Sequence, residues 1–76
     1  MKRPVSERIP EIGERIAAAR LAKGITQTAM ARTLGITNVC LCHIEKGKHG
    51  VSLTTFIAIC EYLGTSADFL LFGRRS

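Results

Sequence analysis

The sequence predicts an all-α fold, a single domain built from five helices. Three observations carry that reading. Apolar residues recur at helical spacing in each longer segment, and Gly24, Gly35, Gly47 and Gly64 each fall just past the end of such a segment. A hydroxyl residue, Thr26, Thr37 or Ser52, stands immediately before three of them, where its oxygen can accept from the first free backbone N–H groups. No stretch reads as a strand, and there is no internal repeat or low-complexity tract.

Residues 1–9 read as a short basic arm with Lys2, Arg3 and Arg8. The first helix is expected to open at Pro10, where a missing N–H is no loss, with Glu11 and Glu14 at the positive end of the dipole. Ile12, Ile16 and Ala19 then share one face as far as Gly24. The second helix is expected over 27–34, capped by Thr26, with Met30, Ala31 and Leu34 inward. The third spans 38–46, capped by Thr37, and buries Leu41 and Ile44. After the loop 48–51, Ser52 caps a fourth helix whose stripe is Leu53, Phe56, Ile59, Cys60 and Leu63. Thr65 and Asp68, three apart, resemble the capping box of a last short helix. There Phe69 and Leu70 complete the interior. Leu71 and Phe72 exceed what so short a helix can bury and are candidates for a homodimer interface. The domain is thus expected over 10–73, followed by a tail at 74–76.

Composition narrows the function. Seventy-six residues, 46% of them hydrophobic, make one domain near the lower size at which an apolar core suffices. Eleven Lys and Arg against six Asp and Glu leave a net charge of +5, which favours a polyanionic partner such as double-stranded DNA. The three cysteines lack the even, spaced pattern of a secreted disulfide scaffold. No apolar leader follows Lys2 and Arg3 and no apolar run reaches membrane-spanning length, so the chain reads as cytoplasmic with no membrane partner. A paired carboxylate, a Ser/His/Asp set and a phosphate-cradling glycine loop are all missing, which argues against an enzyme, a cofactor or a small-molecule ligand. Cys40 and Cys42 are two apart on a helix and point in different directions, so no metal site is expected. Small packed or passively exposed thiols are the simpler reading, with thiol control through Cys42 as the alternative and Cys60 assigned to the core.

The functional signal lies between the second and third helices. Only Gly35, Ile36 and Thr37 connect them, so the two helices must cross steeply. Such a crossing needs a small residue on the second helix (Ala31), a residue free to take positive φ four positions later (Gly35), and apolar residues beneath the third helix (Leu41, Ile44). With Leu41 and Ile44 inward, positions 38, 39, 42, 43 and 46 lie on the opposite face. Glu45, near the negative end of its helix, calls for a compensating cation.

The runs Ile16-Ala17-Ala18-Ala19-Arg20, Gly24-Ile25-Thr26-Gln27, Met30-Ala31, Leu34-Gly35-Ile36-Thr37, Leu41 and Ile44-Glu45-Lys46-Gly47, extended by Ser52-Leu53 and Ala67 to Leu71, resemble the Cro/CI-type, XRE-family helix-turn-helix domain. The resemblance covers about residues 10 to 73. It implies a lambda-repressor-like fold that binds operator DNA as a homodimer and regulates transcription as a repressor or controller. It also implies that Gln27 touches a phosphate, that Thr37, Asn38, Val39, Cys42 and His43 face the bases, and that Lys46 and Lys48 reach the backbone. Arg20 is implied as the cation that pairs with Glu45. Asn38 can pair bidentately with adenine, Val39 can meet a thymine methyl, and His43 can donate or accept at a base edge. His49 reads equally as a phosphate contact or a solvated loop residue. Where family helices usually carry Arg, Gln, Ser or Lys, this one presents Val39 and Cys42. That apolar character keeps a second class open, a protein-interaction module or antitoxin-like subunit on the same fold.

Overall fold

A computed structural model describes residues 4–74. Its helices are α1 (Val5–Ala22), α2 (Gln27–Leu34), α3 (Asn38–Glu45), α4 (Leu53–Leu63) and α5 (Ala67–Phe72), with no strand among the described residues. Lys2, Arg3 and Arg75, assigned to the arm and tail, lie outside them.

The start of α1 differs from the expectation. The helix begins at Val5 with Pro4 at its N-cap, so much of the predicted arm is helical and Pro10 sits inside it. The proline costs the helix one bond, to the Ser6 carbonyl, because it has no N–H to donate. Tertiary contact accounts for its tolerance. Pro10 lies against Gly47, where an added Cβ would overlap the proline's Cα, and half-buried Ile9 approaches Gly50 from the same turn. The expected caps of α2, α3 and α4 are present: Thr26 accepts from the Ala29 N–H, Thr37 from Cys40 and Ser52 from Thr55. At α5 the cap is Ser66, which accepts from Phe69, while Thr65 donates to the Leu63 carbonyl. Asp68 therefore contributes first-turn charge and not a capping partner for Thr65.

Around α1 pack α3, α4 and α5, and α2 packs on α3 and α4. Their shared interior is Ile16, Met30, Ala31, Leu41, Ile44, Phe56, Ile59, Leu63 and Leu70. Leu34, Cys60 and Phe69 pack against this core while only half-buried. Leu53, expected in the α4 stripe, is instead 74% exposed: it is the first residue of its helix, and it stands at the edge of an open apolar groove. Two side chains fasten the ends of the bundle. Arg15 donates from Nε to the Leu70 carbonyl and from its terminal nitrogen to that of Leu71, each at 2.9 Å, which satisfies acceptors that α5 leaves free at its C-terminus. Gly13 permits a close approach of α1 to α3, since a Cβ there would overlap the Ile44 carbonyl oxygen.

Candidate nucleic-acid interface

The steep crossing predicted from the turn is built as the sequence requires. Ala31 is buried at the contact, and Gly35 takes φ 73° and ψ 28°, the left-handed conformation in which a side chain would be strained. The Ile36 N–H closes the turn by donating to the Ala31 carbonyl at 3.0 Å. Thr37 then caps α3 and sets its direction.

Beneath α3 lies a charged network. The Arg20 guanidinium grips Glu45 with two hydrogen bonds, 2.7 Å from Nε and 3.1 Å from its terminal nitrogen, and gives a third, 2.8 Å, to the Ile25 carbonyl. Both residues are buried, at 8% and 7% exposure. The compensation that Glu45 calls for is therefore supplied by α1, at the point where α3 meets the α1–α2 loop. Gln27 joins the network by donating from Nε2 to Glu45 at 2.9 Å. Its amide is thus turned inward and held, while its backbone N–H, at the first position of α2, has no intrahelical acceptor and faces outward with the helix terminus.

On the opposite face, Thr37, Asn38 and Val39 are exposed, Val39 by 64%. Cys42 and His43 are half-buried, so the outward surface narrows toward the end of the helix. Lys46, Lys48 and His49 are exposed just beyond it. The His43 and His49 rings meet edge to face, their centroids 5.7 Å apart, so the loop leans on α3. His49 donates from Nδ1 to the Gly50 carbonyl at 2.8 Å, an assignment fixed because a carbonyl only accepts. Its Nε2 is then a donor only in the imidazolium form, the form in which His49 could bind a phosphate.

One contact was absent from the sequence reading. Asn38 donates from Nδ2 to the Thr28 hydroxyl oxygen at 2.8 Å, a bond that links the exposed starts of α2 and α3. The sequence signal was available: Thr28 is the second residue of α2 and Asn38 the first of α3, and the steep crossing brings those two helix starts together.

An apolar groove of about 610 Å³ opens between the start of α1, α4 and the 49–51 loop; Ile9, Ile12, Val51, Leu53, Ile57 and Leu71 line it. Of the two interface candidates, Leu71 thus belongs to the groove wall. Phe72 is 47% exposed and carries the Arg74 guanidinium 4.7 Å above its ring. Among the described residues no cluster of three or more His, Cys, Asp or Glu could hold a metal, and no helix is long and apolar enough to cross a membrane.

Two short helices joined by a three-residue turn, the second lying over a buried ion pair with its opposite face outward, define a helix-turn-helix domain. The chain belongs to the XRE-type helix-turn-helix family, whose model matches residues 16–70. It is 43% identical over 61 residues to the SPbeta prophage-derived HTH-type transcriptional regulator YonR of Bacillus subtilis strain 168, a match covering 80% of this chain and 56% of the relative. The chain thus spans a little over half the length of that curated relative. Among solved structures it is similar to the P22 c2 repressor in complex with a synthetic operator, with TM-score 0.78, 32% identity, and 83% and 96% of the two chains covered. It is also similar to the restriction-modification controller protein C.AhdI of Aeromonas hydrophila, with TM-score 0.76, 26% identity, and 82% and 94% covered. The five-helix, lambda-repressor-like architecture expected from the sequence is the one observed.

Proposed function

We propose that this chain is a sequence-specific, duplex-DNA-binding transcriptional regulator of repressor or controller type, acting in the cytoplasm and reading the major groove with α3. The observation that carries the reading is the division of α3 into two faces. Leu41, Ile44 and Glu45 are committed to the interior, while Thr37, Asn38 and Val39 project from the end that a groove would receive, with Lys46 and Lys48 beyond the other end. Similarity to a repressor bound to operator and to a controller protein supports it.

Phosphates are held by the free backbone N–H groups at the start of α2, including that of Gln27, by Lys46 and Lys48, and by His49 when protonated. Asn38 and Val39 do most of the base reading, with Thr37, Cys42 and His43 beside them. Two protomers bind half-sites about one helical turn (roughly 34 Å) apart, joined through the apolar surface that includes Leu71 and Phe72. The domain acts by occupying DNA and needs no catalysis, cofactor or small-molecule ligand.

The test is selection from a pool of random duplexes followed by sequencing, run with the native chain and with Asn38→Ala at two salt concentrations. A two-fold symmetric motif, blurred at one base pair per half-site by Asn38→Ala, and affinity that falls steeply with salt are expected. Absence of any enriched motif would instead favour the protein-interaction module, for which the exposed Val39 supplies an apolar contact.

A further inference from the structure

We propose that Thr28, a residue that need touch no base, sets the base preference of Asn38 by fixing which way its amide faces. This rests on the reading of α3 as the recognition helix and deepens it. An asparagine amide is nearly symmetric in shape and opposite in chemistry at its two ends. Unconstrained, it offers a groove either a donor or an acceptor at the same place, and it discriminates poorly. Here one Nδ2–H is committed to the Thr28 oxygen at 2.8 Å. What remains is one N–H and the Oδ1 oxygen, a donor and an acceptor side by side. That pair matches the N7 acceptor and N6–H donor of adenine, and it mismatches guanine, whose N7 and O6 both accept.

The direction of the bond is set from the other side. Thr28 is exposed in the first turn of α2, beside the free backbone N–H groups assigned to a phosphate. A phosphate oxygen only accepts, so on DNA the Thr28 hydroxyl donates its proton to it. The hydroxyl oxygen is then left to accept from Asn38. The resulting chain, Asn38 Nδ2–H to Thr28 Oγ1–H to phosphate, has one allowed polarity and strengthens along its length. Contact with the backbone thereby fixes the amide for reading. Thr28 is a positioning residue.

The experiment compares Thr28→Val, which keeps the shape and removes the hydroxyl, with Thr28→Ser, which restores it. Affinities are measured for the selected duplex and for one in which the adenine read by Asn38 is replaced by guanine, together with the order parameter of the Asn38 side-chain amide in the free protein. The native chain should separate the two duplexes by roughly tenfold or more, the range of one bidentate contact. Thr28→Val should reduce that ratio to a few-fold or less and raise the mobility of the amide, Thr28→Ser should restore both, and thermal unfolding should be unchanged in each. Adding Thr28→Val to Asn38→Ala should reduce discrimination no further than Asn38→Ala alone. A Thr28→Val protein that discriminates as well as the native chain overturns the proposal and leaves Asn38 as reader. Discrimination that survives Asn38→Ala overturns the recognition-helix assignment of Asn38, and the proposal with it.

Discussion

Gly13 sets helix propensity against packing, and the two predict opposite signs. It lies in the interior of α1, where glycine costs about 1 kcal/mol relative to alanine, so Gly13→Ala judged by propensity alone should stabilise the domain. Packing predicts a loss. The new Cβ would overlap the Ile44 carbonyl oxygen and lie 2.7 Å from the Glu45 carbonyl oxygen and 3.0 Å from its carbon, where ordinary contact begins at 3.4 Å. All three atoms are backbone, so no side chain can rotate aside, and α1 must move off α3 by roughly 1 Å to relieve the overlap. Such a shift stretches the 2.7 Å bond from Arg20 to Glu45 past hydrogen-bonding range, because that bond spans the same interface. Overpacking costs about 1–3 kcal/mol and the weakened bond about 1 kcal/mol more, against about 1 kcal/mol gained in propensity. The net loss is about 2 kcal/mol, equivalent in a domain of this size to a fall in Tm of roughly 8–16 °C. Thermal unfolding followed by circular dichroism at 222 nm reads it directly. A Tm equal to or above that of the native chain would refute the steric argument and show that α1 slides on α3 without penalty.

Glu45→Ala strands a buried guanidinium and should cost about 3–5 kcal/mol in urea unfolding, whereas replacing Arg20 and Glu45 together by Met should cost clearly less; equal losses would contradict the desolvation account. Phe72→Asp should leave the helical signal intact and shift sedimentation from dimer to monomer at tens of micromolar, roughly the range of a modest apolar interface; a native chain that sediments as a monomer with and without DNA removes the dimer from the proposed function. Burial raises the Cys60 thiol above its ordinary value of 9.0, so iodoacetamide should alkylate it more slowly in the folded chain than in urea. The sign for stability follows: the folded state holds the thiol proton more tightly, so this contribution is complete below pH 9.0 and declines as pH rises through the folded value. An equal labelling rate in both states would show that Cys60 is not shielded.

The division between what could be read in the sequence and what could not follows from the range of the forces involved. Helix ends at Thr26, Thr37, Ser52 and Gly35 were legible because a cap or a left-handed glycine acts within four residues. The buried pair of Arg20 and Glu45 was reached through family resemblance together with the charge of Glu45 at its helix end. The start of α1 was misplaced because Pro10 carries a strong local signal that its contact with Gly47, far away in sequence, overrides. Leu53 was assigned inward on periodicity, which gives direction around a helix but not where the covering element ends. Gly13 and Arg15 went unread for one reason: each depends on how closely two elements approach, a quantity that no spacing along one chain contains.

The alternation along α3 also bears on how such a domain acquires new targets. Leu41, Ile44 and Glu45 hold the helix in place, and Asn38, Val39, Cys42 and His43 lie between or before them without entering the core cluster. Exchanging the exposed Val39 leaves the packing and the ion pair beneath it intact. Under the proposed function, affinity for one DNA sequence can drift to another through exchanges at that position that all fold. Under the proposed function the scaffold is inherited and the address is rewritten, and the Asn38–Thr28 bond is the point at which the outward face is tied to the neighbouring helix.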